Sequence, residues 1–564
     1  MTNDQFPMTN RTPRLIGVAL ACVALAAVPL AVRFGQAGEE KAPPAVSPQD
    51  LEAGKQVYLK RCAECHGMEG KGDGPAAEYM EPRPRNFTAG QFKLRTTKSG
   101  ELPTDEDLMR VVSRGVLGTP MPGWEGILSE GQRRQVIAYI KSFFPDFANP
   151  DFDPKKQTVE IAGEPATSAD LIAKGKEVYR RAKCWECHGQ EGRGDGPAVP
   201  TLKDDPGDRI IPANLTKGWR YKGGSTVRDI YTRFSTGLNG TPMPSYLETM
   251  SQEERWQIAH YVHSLIREEK AGQDVVLKAR LVSGDLPADP SDPAWGRAEP
   301  LDVALTGQVV TRPRLQNPMV DQLTVRALYN AKEIAFLLEW DDRFKNTTHR
   351  EPEGGLAQWL KSVPARDAAT PQETYPKIDL KRGFSGTLRD AVEMQFPVKL
   401  PEGADRPHFF LGSPGKPVAL WQWRADLNEA GGDKPPVIKM TTQGYREAPV
   451  LLPDAAQDVR GKGDWKNGRW RVVLRRSLRT ADVATDVQFE VGKLVPFAMH
   501  AWDGANDEYG LRMALSSWYF LALETPVPLN VYLYAVLGAL LAGGAEWWSV
   551  RAARRLRRGR REAA

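Results

Sequence analysis

The chain has 564 residues, 41% hydrophobic and 26% charged, which is room for about three globular domains of ordinary composition. Its net charge is only +5, and seven arginines crowd between Arg551 and Arg561, so the remainder is close to neutral and carries no basic footprint for nucleic acid. Four of the five cysteines fall in two Cys-x-x-Cys-His pentapeptides, which excludes a disulfide framework.

In chain order, Arg11 and Arg14 precede an apolar stretch over 15–32, followed by Gly35-Gln36-Ala37. A positive n-region, an apolar core and small residues at the end predict a secretory signal over 1–37. The stretch is also just long enough to remain as an uncleaved anchor, and both readings stand. Cys22 sits inside it as a small apolar residue.

An internal repeat follows. Cys62 and Cys184 lie 122 positions apart, and the same spacing relates His66 to His188, Met121 to Met243 and Tyr139 to Tyr261. Gly-Lys-Gly-Asp-Gly-Pro-Ala ending at Ala76 returns as Gly-Arg-Gly-Asp-Gly-Pro-Ala ending at Ala198. Gly-Thr-Pro-Met-Pro around Met121 returns around Met243. Two copies of one mainly helical module are predicted, over 48–146 and 168–268. Helices over 51–61 and 171–181 lead into the cysteines, and others span 104–114 and 225–235. The helix over 129–143 and its partner open on Ser129 and Ser251, as N-caps do. Between the modules, 145–167 reads as a linker.

In Cys-x-x-Cys-His both thiols add to porphyrin vinyl groups and the histidine reaches the iron. A Cys₄ zinc site would need the two pairs to converge. Here each pair has its own histidine, His66 after Cys62 and Cys65, His188 after Cys184 and Cys187. Each also has its own downstream methionine. Two covalently bound haem c groups are therefore expected, with Met121 and Met243 as sixth ligands. Each methionine stands between two prolines that fix the loop backbone, and methionine opposite histidine raises the potential of an electron carrier. Met68, Met80, Met109 and Met250 have no partner in the other copy, and His260 and His263 are expected at the surface. These features resemble class I cytochrome c domains. The resemblance implies that the carbonyls of Pro75 and Pro197 accept hydrogen bonds from the ligating histidines.

From 272 to 525, short β-branched and aromatic runs alternate with Pro/Gly/Asp turns, predicting an all-β, sandwich-like domain. Strands are expected at 322–329, 333–340, 391–396, 418–424, 470–475, 486–491 and 497–502, with a hairpin turn at Asn330-Ala331-Lys332. LTVRALYNAKEIAFLLEWDD (323–342), RDAVEMQFP (389–397), KPVALWQWRAD (416–426) and FAMHAWDGANDEYG (497–510) resemble the haem b-binding gamma subunit of ethylbenzene dehydrogenase and its relatives in the type II dimethyl-sulfoxide-reductase family. The resemblance implies a b haem held by a methionine and a lysine. The matching positions carry Leu411 and Met513. Either other residues hold that haem, such as Met513 with His408, or it has been lost. Met394, Met499 and His500 are expected as packing or surface residues.

The apolar run 527–550 ends in Glu546, Trp547 and Trp548 and is followed at once by the arginines. It predicts a transmembrane helix with the tail 551–564 in the cytoplasm and residues 38–525 on the periplasmic side. The expected protein is a membrane-anchored dihaem c-type cytochrome, an electron-transfer subunit rather than a catalytic one. Its redox partners would be a molybdenum subunit or a respiratory membrane complex. No catalytic residue is assigned and no nucleotide-binding loop is present. The alternatives are an autonomous haem-dependent dehydrogenase with its pocket in the β domain, or a β domain that only docks a partner.

Overall fold

The computed structural model describes residues 47–161, 163–268, 272–350, 378–384, 386–401, 405–431, 435–525 and 529–562. The expected signal or anchor over 1–37 lies outside them, with Cys22.

Two helical modules come first. One comprises α1 (Pro48–Arg61), α2 (Ala63–His66), α3 (Asp105–Arg114) and α4 (Glu130–Lys141). The other comprises α5 (Ala169–Arg181), α6 (Trp185–His188), α7 (Val227–Thr236) and α8 (Gln252–Ser264). Their ends are set by local chemistry. Ser47 and Ser168 cap α1 and α5, and reciprocal capping boxes open α3 (Thr104/Asp107), α4 (Ser129/Gln132), α7 (Thr226/Asp229) and α8 (Ser251/Glu254). In each module the first and last helices touch backbone to backbone at a glycine. A Cβ on Gly54 would lie 2.0 Å from the Gln135 carbonyl oxygen, and one on Gly175 would lie 2.0 Å from that of Gln257. The linker is partly turned, with 3₁₀ turns at Pro145–Ala148 and Pro154–Gln157.

The modules also grip each other. Arg95, fully buried, donates to the Thr236 carbonyl at 2.7 Å, and Arg233 returns a bond to the Lys93 carbonyl at 3.1 Å.

The β domain holds β1 (Val276–Leu281), β2 (Leu301–Ala304), β3 (Thr306–Gly307), β4 (Gln322–Tyr329), β5 (Glu333–Asp341), β6 (Ala391–Pro397) and β7 (Val418–Arg424). After the short helix α9 (Ala425–Ala430) come β8 (Val437–Thr442), β9 (Val450–Leu451), β10 (Arg460–Trp465), β11 (Arg469–Ser477), β12 (Leu494–Trp502), β13 (Ala514–Leu515) and β14 (Tyr519–Leu523). They form one hydrogen-bonded path, β10-β11-β5-β4-β1-β14-β12-β6-β7-β8-β9. The path folds over at β12, whose first residues pair with β14 and whose last pair with β6. Its two arms pack face to face. Trp340 and Phe336 of β5 and Trp470 of β11 meet Phe396 of β6 and Trp421 and Trp423 of β7, with ring centroids 4.9–6.2 Å apart. Alternating burial along β4 is what a half-buried strand requires, whereas β6 is buried throughout.

The sheet is mixed, because β1 runs parallel to both β4 and β14. One expected strand is missing: 486–491 is not a strand. The Asp486 side chain turns back on the Val487 N–H and takes Arg476 at 2.5 Å, while Arg476 also takes the Val487 carbonyl, so side chains use the groups a ladder would need.

The last helix, α10 (Leu529–Glu562), runs on through the first arginines, and Asn530–Arg555 is long and apolar enough to cross a membrane. Arg551 lies over the Trp547 ring at 4.6 Å.

Candidate haem-attachment sites

Each Cys-x-x-Cys-His forms a single helical turn, so one module describes both. His66 N–H bonds the Cys62 carbonyl at 2.9 Å, and His188 N–H bonds that of Cys184 at 2.9 Å. All four cysteines are half-buried. A buried tyrosine clamps the turn's exit in both copies: Tyr58 Oη donates to the Gly67 carbonyl and Tyr179 Oη to that of Gly189, each at 2.7 Å.

The imidazoles are oriented by backbone. His66 Nδ1 lies 2.9 Å from the Arg85 carbonyl oxygen, and His188 Nδ1 lies 3.0 Å from that of Ala213. A carbonyl only accepts, so Nδ1 carries the proton and Nε2 presents its lone pair, as an iron ligand must. Burial lowers both histidine pKa values and keeps them neutral. The His66 ring also stacks on Phe87 at 4.5 Å.

These acceptors correct the expectation of Pro75 and Pro197. The Gly-Asp-Gly-Pro loop doubles back along the attachment turn: Gly72 N–H bonds the His66 carbonyl, Gly74 that of Cys65 and Ala76 that of Glu64. It thereby closes the turn, and the ring reaches past it to the following segment. The repeat is also less uniform than its 122-residue spacing. Tyr58 and Tyr179 are 121 positions apart, and Lys183, with φ +57°, takes up the extra residue before Cys184. Arg85 and Ala213 are 128 apart.

The methionine loops leave α3 and α7. Val116 N–H bonds the Met121 carbonyl at 3.0 Å, Leu238 N–H that of Met243 at 3.1 Å, and the Thr119 and Thr241 hydroxyls take the methionine N–H groups. Met121 is half-buried. Met243, like Cys184, Trp185 and Tyr246, packs against the buried apolar cluster of the second module. Burial raises Tyr246, which stacks on Phe234 at 4.3 Å, to about 12. The donor set and its orientation fit covalent haem in both modules. His260, expected at the surface, is buried instead, with Nδ1 3.1 Å from Thr167 Oγ1.

The β domain answers differently. Leu411 and Met513 come together, in one closed apolar cluster with Phe410, Val418, Leu420 and Trp502. Met513 is 1% exposed. His408 lies outside that cluster, exposed, and its Nδ1 accepts the Phe410 N–H at 3.1 Å. His500 is buried with both nitrogens used, by Glu393 at 2.7 Å and the Phe409 carbonyl at 3.0 Å. Met394 and Met499 are core. Among the described residues, these side chains do not fit an axial pair for a b haem.

Sequence reasoning missed a buried acidic cluster. Asp342, Asp390 and Asp503 bring oxygens within 4.8 Å of one another. Each sits in one of the segments resembling the ethylbenzene dehydrogenase subunit, a shared signal in hindsight. Trp340 and Trp470 donate indole N–H groups to Asp342 and Asp390. Burial raises all three aspartates, with repulsion from neighbouring carboxylates adding to it for Asp342 and Asp390, and Glu508 beside them is pushed up to about 8.

Paired turns that bind haem through two thioethers and a fixed histidine define an electron-carrying cytochrome of the c class. Residues 51–143 and 172–265 match the family described as cytochrome c, and 292–437 with 440–514 match the family described as ethylbenzene dehydrogenase. The helical modules match the first family and the β domain matches the second, each over less than half of the chain. It is 24% identical over 271 residues to a protein of Haloferax mediterranei described as a respiratory nitrate reductase haem subunit, spanning 47% of this chain and 79% of that one. It is 23% identical over 249 residues to the chlorate reductase gamma subunit of Ideonella dechloratans, spanning 44% and 84%. A solved chain of the Kuenenia stuttgartiensis reducing HAO-like complex is 46% identical over 40% of this chain and 99% of its own length, with a TM-score of 0.37.

Proposed function

We propose that this chain is the membrane-anchored dihaem electron-transfer subunit of a respiratory or molybdenum oxidoreductase complex. Its modules and β domain would lie on the periplasmic side and its arginine tail in the cytoplasm. The observation that carries the reading is the repeated turn in which Nδ1 of His66 and His188 is bonded to backbone carbonyl, leaving Nε2 for iron. Bound haem c supplies a one-electron couple at its iron. The chain's own residues do the rest. Cys62 with Cys65, and Cys184 with Cys187, would hold the porphyrin edges, and His66 and His188 would each ligate an iron. Met121 and Met243 would be the further ligands and would raise the potential. The arginine contacts between the modules join the two sites in one unit, as a dihaem electron carrier would need. The β domain, in this reading, holds no haem and serves as the platform for the partner.

The test is co-purification from native membranes followed by pyridine haemochrome analysis. Two c-type haems per chain and a co-purifying catalytic subunit are expected. Substrate turnover by the isolated chain would overturn the assignment as a subunit, and a b-type signal would overturn the haem-free β domain.

A further inference from the structure

The two attachment sites are alike in sequence but unequally supported. Asn86 and Asn214 each follow the carbonyl that receives the histidine proton, and each turns its Oδ1 back on a threonine two residues on. Among the described residues only Asn214 is held from outside: its Nδ2 donates to Asp341 Oδ2, on the last residue of β5, at 3.0 Å. One hydrogen bond, one peptide unit and one further hydrogen bond thus join Asp341 to the His188 ring.

Asp341 is the hub of this contact. Its side chain is 9% exposed and faces Arg193 at 3.1 Å, Arg267 at 3.1 Å, Arg469 at 3.6 Å and Lys217 at 3.8 Å. Three of those cations belong to the second module. Lys217 is shared with Asp321 at 2.6 Å, and Arg220 pairs with Asp321 as well. The β10–β11 turn adds a second grip. Asn467 Nδ2 bonds Glu191 at 2.8 Å, and a Cβ on Gly468 would lie 2.5 Å from the Asp195 carboxyl carbon, so the turn sits on the loop that closes the second attachment turn. The first module has no such carboxylate on Asn86 among the described residues.

We propose that Asp341 is a positioning residue by which the β domain sets the reduction potential of the second haem apart from that of the first; this rests on the haem reading above. Two effects act in one direction. The carboxylate's negative charge favours the oxidised iron, and its hold on Asn214 keeps the Ala213 carbonyl on His188, which strengthens the imidazole as a donor and also favours the oxidised form.

The experiment is a spectropotentiometric titration of the full chain in detergent, after a haemochrome assay shows two c haems. The second haem's wave is identified as the one displaced in Met243→Ala. Asp341→Asn shifts that wave upward by about tenfold in the reduction equilibrium, ~59 mV for one electron, and Asp341→Glu brings it back. Arg267→Gln, at a partly exposed side chain, removes one cation and shifts the wave downward. This variant carries the test alone if Asp341→Asn does not fold. The first haem's wave stays in place throughout. Two haems present with neither wave moving, or both waves moving together, would overturn the proposal. Absence of covalent haem in the unaltered chain would instead sink the haem reading beneath it.

Discussion

At the residue scale, the attachment turns depend on a few polar bonds in apolar surroundings. Tyr58→Phe and Tyr179→Phe each remove the shorter of two hydrogen bonds to a buried glycine carbonyl, leaving the longer one from Gly70 or Gly192 N–H, and should cost about 0.5–1.5 kcal/mol, read as a fall in thermal midpoint of the haem-loaded chain. Met121→Ala and Met243→Ala should each abolish methionine-to-iron charge transfer for one haem and lower its potential; spectra and potentials unchanged in both would refute the ligand assignment. The acidic cluster predicts a pH dependence. A carboxyl whose pKa is raised on folding keeps its proton when the unfolded chain has lost it, so its contribution is present below the ordinary carboxylate range and is lost as pH rises. For Glu508 that window runs from its ordinary 4.5 to about 8. Stability of the β domain, followed by tryptophan fluorescence, should fall across it, and Glu508→Gln should flatten the slope.

At the scale of elements, helix boundaries were legible because local chemistry sets them. Ser129 and Ser251 open α4 and α8 with capping boxes, as their positions before apolar runs imply. The hairpin of β4 and β5 was legible too, since Asn330 Oδ1 takes the Lys332 and Glu333 N–H groups and closes the turn. What local pattern misses is competition from distant side chains. The run at 486–491 alternates like a strand, yet Arg476 and Asp486 claim its backbone. Short strands such as β2, β3 and β13 carry too few residues to show a period. The crossing of first and last helices is the sharpest test at this scale. Gly54→Ala and Gly175→Ala each force a methyl into a backbone contact and should cost about 1–3 kcal/mol. Equal losses in the two variants would show that the repeat is conserved in packing; a loss in only one would show that it is not.

At the scale of the whole molecule, the two modules and the β domain are joined by buried charge. Arg95 crosses between modules and Asp341 collects cations from the second, so neither is a surface pair whose loss costs little. α10 is exposed along its apolar length, and one apolar helix leading into arginines fits a membrane anchor. Deleting 529–562 should move the chain from the membrane fraction to the periplasmic extract. Retention in the membrane would mean that the N-terminal segment stays on as a second anchor.

The sequence alone determined the chemistry that is local in the chain: the Cys-x-x-Cys-His turns, the matched methionine loops, the helix caps and the apolar terminal run. Each of these is set by residues within a few positions of one another, or by a repeat that displays them twice. Only the tertiary structure decided which carbonyl orients each histidine. It also decided that Leu411 and Met513 share a closed apolar cluster, that three separated aspartates converge, and that Asp341 leans on one attachment site and not the other. Those outcomes depend on segments up to 161 residues apart meeting in space, and on insertions that shift the repeat from 121 to 128 positions, which no local pattern records.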